Sequence, residues 1–373
     1  LERRPLHLVA VNWRDMHNPD AGGAEVHLHE ILRRMVQRGH RVTLFASGFP
    51  GAAQRDSYDG IEVVRRGSWY NANFSVARAV GEFLARERAD LVLEDINKIP
   101  FFIPRVTDVP VMPIIPHLFG ATVFRETNPV LASYVWFWER FIPRVYRGCR
   151  FSVISPSTKE DLVQRGIPEA RIDVVLCGLD HGTYRRIDGV SRYERPTIVH
   201  FGRVRKYKAI DVVIRAFQRI RGRLADAQLV IVGDGPELDN LKKLTRALGL
   251  DDTVEFTGKI PADRLVEILN RCHVFMNASP KEGWGLTVVE ANACGVPVVG
   301  SNRPGLKDSI VDGKTGYLVE YGDDAAFAAR GLDLLTNPQS WERMSGAALE
   351  WAGSMTWEKT ADEMERLFLE EAR

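Results

Sequence analysis

Cysteine is scarce in this chain: four in 373 residues, namely Cys149, Cys177, Cys272 and Cys294, far apart and without a C-x-x-C spacing. That usage argues against a disulfide framework and a thiolate zinc site, and it fits a reducing cytoplasm. Charge of one sign is also missing. Lys and Arg number 50 against 49 Asp and Glu, a net charge of +1. The balance argues against the broad positive footprint of a nucleic-acid-binding protein. Long apolar runs are absent too. The most apolar stretch, IPFFIPRVTDVPVMPIIPHLFG, is interrupted by prolines and charges, so no membrane-spanning helix is expected. No basic stretch followed by an apolar one opens the chain, and no signal peptide is expected. There is no clear internal repeat, no D-x-D pair and no G-x-G-x-x-G loop. The missing G-x-G-x-x-G loop counts against a Rossmann dehydrogenase.

Hydrophobic residues make up 45% of the chain, enough for a sizeable core in each of two ordinary domains. The first half alternates strand-like runs (HLVAVNW, RVTLFAS, IEVV, DLVLED, VMPII, RFSVIS) with helix-like ones. In the first helix, Ala24, Leu28, Ile31, Leu32, Met35 and Val36 share a stripe, and Gly39 is a stop signal. The polar segment 183–196 reads as a linker. The alternation then restarts: TIVHFG, AIDVVIRAFQRI, QLVIVG, PELDNLKKLTRALG, VEFTG, PADRLVEILNRC, HVFMNAS, LTVVEANACG and PVVGS. Alternation of this kind predicts parallel sheets covered on both faces, an α/β architecture of two doubly wound units. Ligands of such folds bind beyond the carboxyl ends of the strands, so the cleft between two units is the expected site.

Several loops at those strand ends carry chemistry. PDAGGAE (19–25) places Gly22 and Gly23 between a strand and a helix start, where free N–H groups would welcome a phosphate or sugar oxygen. A tight turn would look the same. HFGRVRKYKAID (200–211) ends a strand and then offers Arg203, Arg205, Lys206 and Lys208. A diphosphate needs such cations, although a solvated charged turn has the same composition. VGDGPEL (232–238) reads as a structural turn with Pro236 at a first helical position.

SPKEGWGLTVVEANACGVPVV (279–299) holds Glu282 and Glu290, eight positions apart. At about 100° per residue they point roughly 80° apart on a helix, so they do not serve one group from one face. Glu282 has an innocent reading as a helix cap. Glu290 lies among Val288, Val289, Ala291 and Ala293, and a carboxylate in apolar company must be paired or meet a ligand. LASYVWFWERFIPRVYRGCR (131–150) mixes aromatics with Arg140, Arg144 and Arg147. It reads as a core helix of the first domain with a charged outer face. The other reading is an interfacial helix that meets anionic lipid.

Taken together, these segments resemble the retaining glycosyltransferases of family 4, of GT-B fold, over nearly the whole chain. The resemblance rests on GGAEVHLHEILRRMVQRGHRVTLFAS, VISPSTKEDL, CGLDHGTY, GRVRKYKAIDVVIRAF and, most specifically, EGWGLTVVEANACGVPVVGSNRPGLKDSIVDGKTGYLV. It implies that Arg203 and Lys208 bind the donor diphosphate and stabilise the leaving nucleoside diphosphate. It implies that Gly22 and Gly23 approach the donor phosphates, with the Gly23 amide nearest. Glu282 would hydrogen-bond the transferred sugar, and Glu290 the ribose hydroxyls. The segment Gly283, Trp284, Gly285, Leu286 and Thr287 would assist at sugar and phosphate. Lys259 and Ile260 would lie by the nucleobase, and His117 would contact the sugar.

The resemblance further implies a domain at 1–182 on the acceptor side, a nucleotide-sugar domain at 183–355, and a final helix at 356–373 crossing back to the first domain. The implied reaction moves a hexose from a UDP- or GDP-sugar to a hydroxyl of a glycan, lipid-linked or small-molecule acceptor, with retention. No cofactor and no metal are expected, since Arg203 and Lys208 take the cation's place. No nucleic-acid partner is expected. The location would be cytoplasmic, with membrane contact only peripheral, at the inner face. Three departures touch loop geometry: Ala209 where glycine is frequent, Cys177 where asparagine is common, and Asn292 where methionine is frequent. The rival functions are a GT-B epimerase, a sugar phosphorylase, and a non-catalytic nucleotide-sugar-binding module.

Overall fold

The computed structural model describes residues 4–125 and 128–372. It divides into two compact units. Unit 1 is Leu1–Gly178 with Trp357–Arg373, and unit 2 is Leu179–Thr356. These limits fall four residues before the expected boundary at 182/183 and one after that at 355/356.

Among the described residues, unit 1 holds an eight-stranded sheet. Its strands are β1 (His7–Val11), β2 (Arg41–Ala46), β3 (Arg55–Tyr58), β4 (Ile61–Arg65), β5 (Leu91–Asp95), β6 (Val111–Ile115), β7 (Phe151–Val153) and β8 (Ile172–Val174). Their order is β3-β4-β2-β1-β5-β6-β7-β8. Strands β1, β5, β6 and β7 are buried along their whole length. Both faces are covered, which is why they read as continuous apolar runs rather than alternating ones. All neighbours are parallel except β3 and β4. The polar edge strand β3 escaped the sequence pattern. Its signal was the turn Asp59-Gly60, where both residues have positive φ, 51° and 74°, as a tight hairpin requires.

The helix Gly23–Gln37 buries Leu28, Ile31, Leu32 and Met35, as its stripe predicts, and also Glu25 and His27. The final helix, Trp357–Glu371, packs in the same core through Ala361, Met364, Leu367 and Phe368. Ion pairs Arg38–Glu365 at 2.6 Å and Arg34–Glu358 at 2.8 Å tie it to the first helix.

The stretch 131–150 meets its expectation as a core helix in part: Ile142 and Tyr146 are buried in the core, but its first helix is largely exposed. It forms the helix Pro129–Glu139 and a short helix Ile142–Val145. In the first, Ala132 and Glu139 are the buried residues. Glu139 turns inward because its carboxylate accepts the amides of Phe119 and Gly120 at 2.6 and 2.8 Å. Tyr134, Trp136 and Phe137 are left outside, while Trp138 packs on the core.

Unit 2 holds, among the described residues, a six-stranded parallel sheet of order β11-β10-β9-β12-β13-β14. The strands are β9 (Thr197–Phe201), β10 (Gln228–Val232), β11 (Val254–Gly258), β12 (Val274–Asn277), β13 (Val298–Ser301) and β14 (Gly316–Val319). Successive side chains enter opposite cores: Leu229 and Ile231 go to one, Val230 and Val232 to the other, the period of two that a strand imposes. Pro236 is not a first helical residue. The helix begins at Leu238 behind Glu237, because the Glu237 amide is held by the Val204 carbonyl at 3.3 Å.

Both sheets share one topological feature. β1 lies between β2 and β5, and β9 lies between β10 and β12. The chain winds to one side of these strands and then to the other. The carboxyl ends beside such a reversal form an open crevice.

Candidate functional site

In unit 2 the reversal at β9 sets two loops against each other at the carboxyl edge of the sheet, residues 202–209 after β9 and 278–285 after β12. Lys208 closes the first loop on the turn Lys206–Lys208 and is largely buried. Its Nζ donates to Glu282 Oε1 at 2.5 Å across 74 residues of sequence. Glu282 is therefore not a cap. Gly285 caps the helix Leu286–Ala293, with φ 84° and no side-chain bond. The Glu282 amide donates to the Pro304 carbonyl at 3.0 Å. A Cβ on Gly305 would come within 2.3 Å of the Glu282 carbonyl oxygen. The 302–306 turn thus fixes the backbone of Glu282, a support that the sequence reading missed and that the Pro-Gly pair signals.

The basic loop has its own support. The Val204 amide donates to the Asp234 carbonyl at 2.9 Å. A Cβ on Gly235 would lie 2.2 Å from the Val204 oxygen. The VGDG turn is a structural brace, as its sequence suggests. Ala209 adopts φ 49° and ψ 41°, a left-handed conformation that costs an L-residue roughly 1–2 kcal/mol. Frequent glycine at this place has that physical reason. Arg203 stands exposed on the same loop.

His200, also missed, lies near the Lys208–Glu282 pair. It is fully buried, and its Nδ1 bonds the Met276 carbonyl at 2.8 Å. Burial, helped by the charge of Lys208 and opposed by the bond to Met276, pushes its pKa down to about 4. The ring is neutral and adds no charge to the pair.

Glu290 lies within the helix Leu286–Ala293, with the Tyr184 phenol near its carboxylate. Burial pushes the Glu290 carboxyl up to about 7, against the opposing pull of Lys208 and of Tyr184. Tyr184, in the segment leading out of Leu179, carried no signal in the sequence. The helix amides of Leu286 and Thr287 lie in the first turn, where no intrahelical acceptor exists. Gly283 is half-buried. Trp284 is buried, and its indole N–H has no partner among the described residues, so its ring supports the loop from within. Lys259 and Ile260 follow the edge strand β11, Lys259 exposed and Ile260 packed on the core.

Unit 1 places its own candidates at the carboxyl edge of its sheet. Gly22 caps the helix Gly23–Gln37, and its amide donates to Glu25 Oε2 at 2.7 Å. That N–H is already occupied, whereas Gly23 is exposed. His117 follows β6 and meets Phe119 edge-on at 4.7 Å. Among the described residues no group of three His, Cys, Asp or Glu could hold a metal ion. No helix among them is long and apolar enough to cross a membrane.

The family model of the glycosyl transferases group 1 matches residues 186–351, and that of glycosyltransferase family 4 matches residues 21–183. The chain is 26% identical over 355 residues to an N-acetyl-alpha-D-glucosaminyl L-malate synthase of Bacillus anthracis, covering 89% of each. It is 28% identical over 366 residues to a GDP-mannose-dependent alpha-(1-6)-phosphatidylinositol monomannoside mannosyltransferase of Mycobacterium tuberculosis, covering 89% of this chain and 90% of that one. Its fold is similar to that of a sucrose-phosphate synthase from Thermosynechococcus elongatus, with a TM-score of 0.81, 19% identity and 98% of each chain covered.

Proposed function

The chain belongs to the group 1, family 4 glycosyltransferases of GT-B fold, and from that premise we propose a retaining, metal-independent hexosyltransferase. The donor is a UDP- or GDP-sugar. The acceptor is a hydroxyl of a glycan, a lipid-linked sugar or a small molecule. The observation that carries this reading is the Lys208–Glu282 pair at the reversal point of unit 2, beside the exposed Arg203.

Transfer breaks the bond between the anomeric carbon and the diphosphate oxygen, and the electron pair leaves on the diphosphate. Cations fixed where that charge develops lower the barrier. Lys208 and Arg203 are assigned this task. Glu282 is assigned to the sugar hydroxyls, and its contact with Lys208 keeps the lysine aimed before the donor arrives. Glu290 is assigned to the ribose hydroxyls. The Leu286 and Thr287 amides, with Gly283 and Gly285, are assigned to sugar and phosphate. Lys259 and Ile260 are assigned to the base. In unit 1, Gly23 is assigned to the donor phosphates and His117 to the transferred sugar. The acceptor oxygen attacks from the face the diphosphate leaves, and its proton passes to the departing phosphate. No cofactor enters, and the cytoplasm is the proposed location.

Calorimetry with UDP, GDP and ADP identifies the nucleotide. The relative named for GDP-mannose makes GDP the first arm. The matching nucleotide sugar is then incubated with acceptor, and the anomeric proton of the product is read by NMR. Acceptor-dependent release of nucleoside diphosphate with retained configuration is expected. An isomerised sugar without such release would replace the reading by an epimerase.

A further inference from the structure

Unit 2 holds a second hollow, which the proposed transfer reaction does not use. Its volume is about 290 Å³, and its lining includes Arg186, Ser191, Arg192, Asn270, Gly295 and Trp341. Ser191 and Arg192 come before β9, Asn270 before β12, and Gly295 before β13. The hollow therefore sits at the amino edge of the sheet, whereas Lys208 and Glu282 stand at the carboxyl edge. A five-residue strand such as β9 sets the two edges about 16 Å apart. The volume is at the lower end of the range for small-molecule pockets, so the occupant is small.

Two guanidiniums line this hollow with most of their donors unspent. Arg186 Nη1 donates to Ser345 Oγ at 3.3 Å, and that hydroxyl donates to the Gly295 carbonyl at 2.6 Å. The Arg192 guanidinium lies over the Trp341 ring at 3.8 Å. The ring is itself fixed, since it is buried and its indole N–H donates to the His273 carbonyl at 2.6 Å. Among the described residues neither arginine has an ion-pair partner, and Arg192 has no hydrogen bond. No Asp or Glu lines the hollow. Asp188 and Glu194, on the same segment, are exposed and pair with neither arginine. Burial pulls the Arg192 pKa below its ordinary value; Glu342 opposes this without an ion pair, and the charge of Arg186 adds to it.

The helices Ala262–Arg271 and Leu286–Ala293 end at this edge, and their carbonyl ends favour cations. Yet neither guanidinium bonds a carbonyl there among the described residues. The segment that carries them is anchored instead through its backbone. The Ile187 amide donates to Asn270 Oδ1 at 2.7 Å, Asn270 Nδ2 to the Arg185 carbonyl at 3.0 Å, and the Tyr193 amide to the Arg271 carbonyl at 2.8 Å. A ligand would thus meet two cations already placed, which lowers the cost of binding. Planar N–H forks match the oxygens of a phosphate, and the Ser191 hydroxyl adds one more donor.

We propose that the hollow between Arg186, Ser191, Arg192 and Trp341, at the amino edge of unit 2, is a second anion site that takes a phosphate dianion, free or as a small phosphomonoester. Arg186 and Arg192 hold the phosphate oxygens, and Trp341 keeps the plane of Arg192 in place. The proposal stands independently of the transfer reaction.

The test is calorimetric titration of the full chain, at low ionic strength, with inorganic phosphate and with glycerol phosphate. Phosphate also suits the loop of Arg203 and Lys208, so both titrations are repeated on Lys208→Ala. One saturable site that persists in Lys208→Ala is expected, and the tighter of the two probes tells free phosphate from a phosphomonoester. Arg186→Gln and Arg192→Gln together should weaken that site at least about tenfold, the loss of one or more charge-assisted hydrogen bonds. Both side chains are exposed, so phosphate-free thermal melting and nucleoside diphosphate affinity should be unchanged in the glutamine variant. No saturable phosphate binding in Lys208→Ala overturns the proposal. So does binding that the glutamine variant does not reduce, because the phosphate would then sit elsewhere.

Discussion

The same sheet reversal occurs in both units, and carboxylates stand beside it in both, yet they are engaged differently. In unit 1, Glu94 is the last residue but one of β5 and is fully buried. It accepts the amides of Phe101 at 2.7 Å and Ile103 at 3.2 Å and the Tyr146 hydroxyl at 2.6 Å. Its oxygens are spent on tying down the loop after β5. Burial still pushes its carboxyl up to about 7, and raises its neighbour Asp95 further above the ordinary range. In unit 2, Glu282 meets a lysine side chain instead. A carboxylate held by backbone amides cannot change partners without unfolding the loop. A carboxylate held by a lysine can share that lysine with an arriving phosphate. Topology selects where a charged group can stand, and its partners select what it is for.

Substitutions can break this contrast, beginning with the largest effect. Lys208→Ala should lower transfer about a thousandfold, the scale for removing one fixed group aimed at developing charge. Steady-state release of nucleoside diphosphate measures it, and full activity would end the assignment. Glu94→Ala should leave nucleotide affinity unchanged and cost about 3 kcal/mol of stability in urea unfolding, since buried donors lose their acceptor. A loss of nucleotide affinity there would make the two reversals alike.

A smaller effect tests Glu290. Its carboxyl, raised to about 7 by burial, is neutral below that pH and ionised above it. The ionised form is the better acceptor for ribose hydroxyls. Nucleoside diphosphate affinity in calorimetry should therefore rise from about pH 6 to about pH 8, by at most about tenfold per unit below the pKa. Glu290→Gln should weaken binding roughly tenfold and flatten that slope. An unchanged slope in Glu290→Gln would assign the titration elsewhere. Smallest of all, Ala209→Gly should change stability by no more than about 1 kcal/mol, because relief of the left-handed strain is offset by the entropy glycine loses on folding. A larger loss would mean that the Ala209 methyl matters to the basic loop.

Much of the fold was legible where local pattern suffices. The buried strands of both units read as apolar runs, and the helix stripe at Leu28, Ile31, Leu32 and Met35 faces the core. The polar edge strand Arg55–Tyr58 was not legible by apolarity, and only its Asp-Gly turn could have marked it. In the stretch 131–150, Ile142 and Tyr146 are core residues as read, whereas Tyr134, Trp136 and Phe137 only look like core residues; the helix that carries them turns Glu139 inward to amides 19 and 20 residues earlier. At the site, Lys208, Glu282 and Glu290 stood out by residue type and motif. Tyr184, His200 and the Pro304-Gly305 brace did not, because each acts through a neighbour distant in sequence.

By itself, then, the sequence determined the α/β alternation, the family, and the loops that hold the candidate groups, because periodicity, turn chemistry and spacing are local properties of the chain. Only the tertiary structure decided that Glu282 is Lys208's partner rather than a helix cap. It also decided that Glu290 comes near Tyr184 and that Tyr134, Trp136 and Phe137 remain outside. Those pairs join segments 74 and 106 residues apart, and distance along a chain carries no information about which side chains packing will bring together.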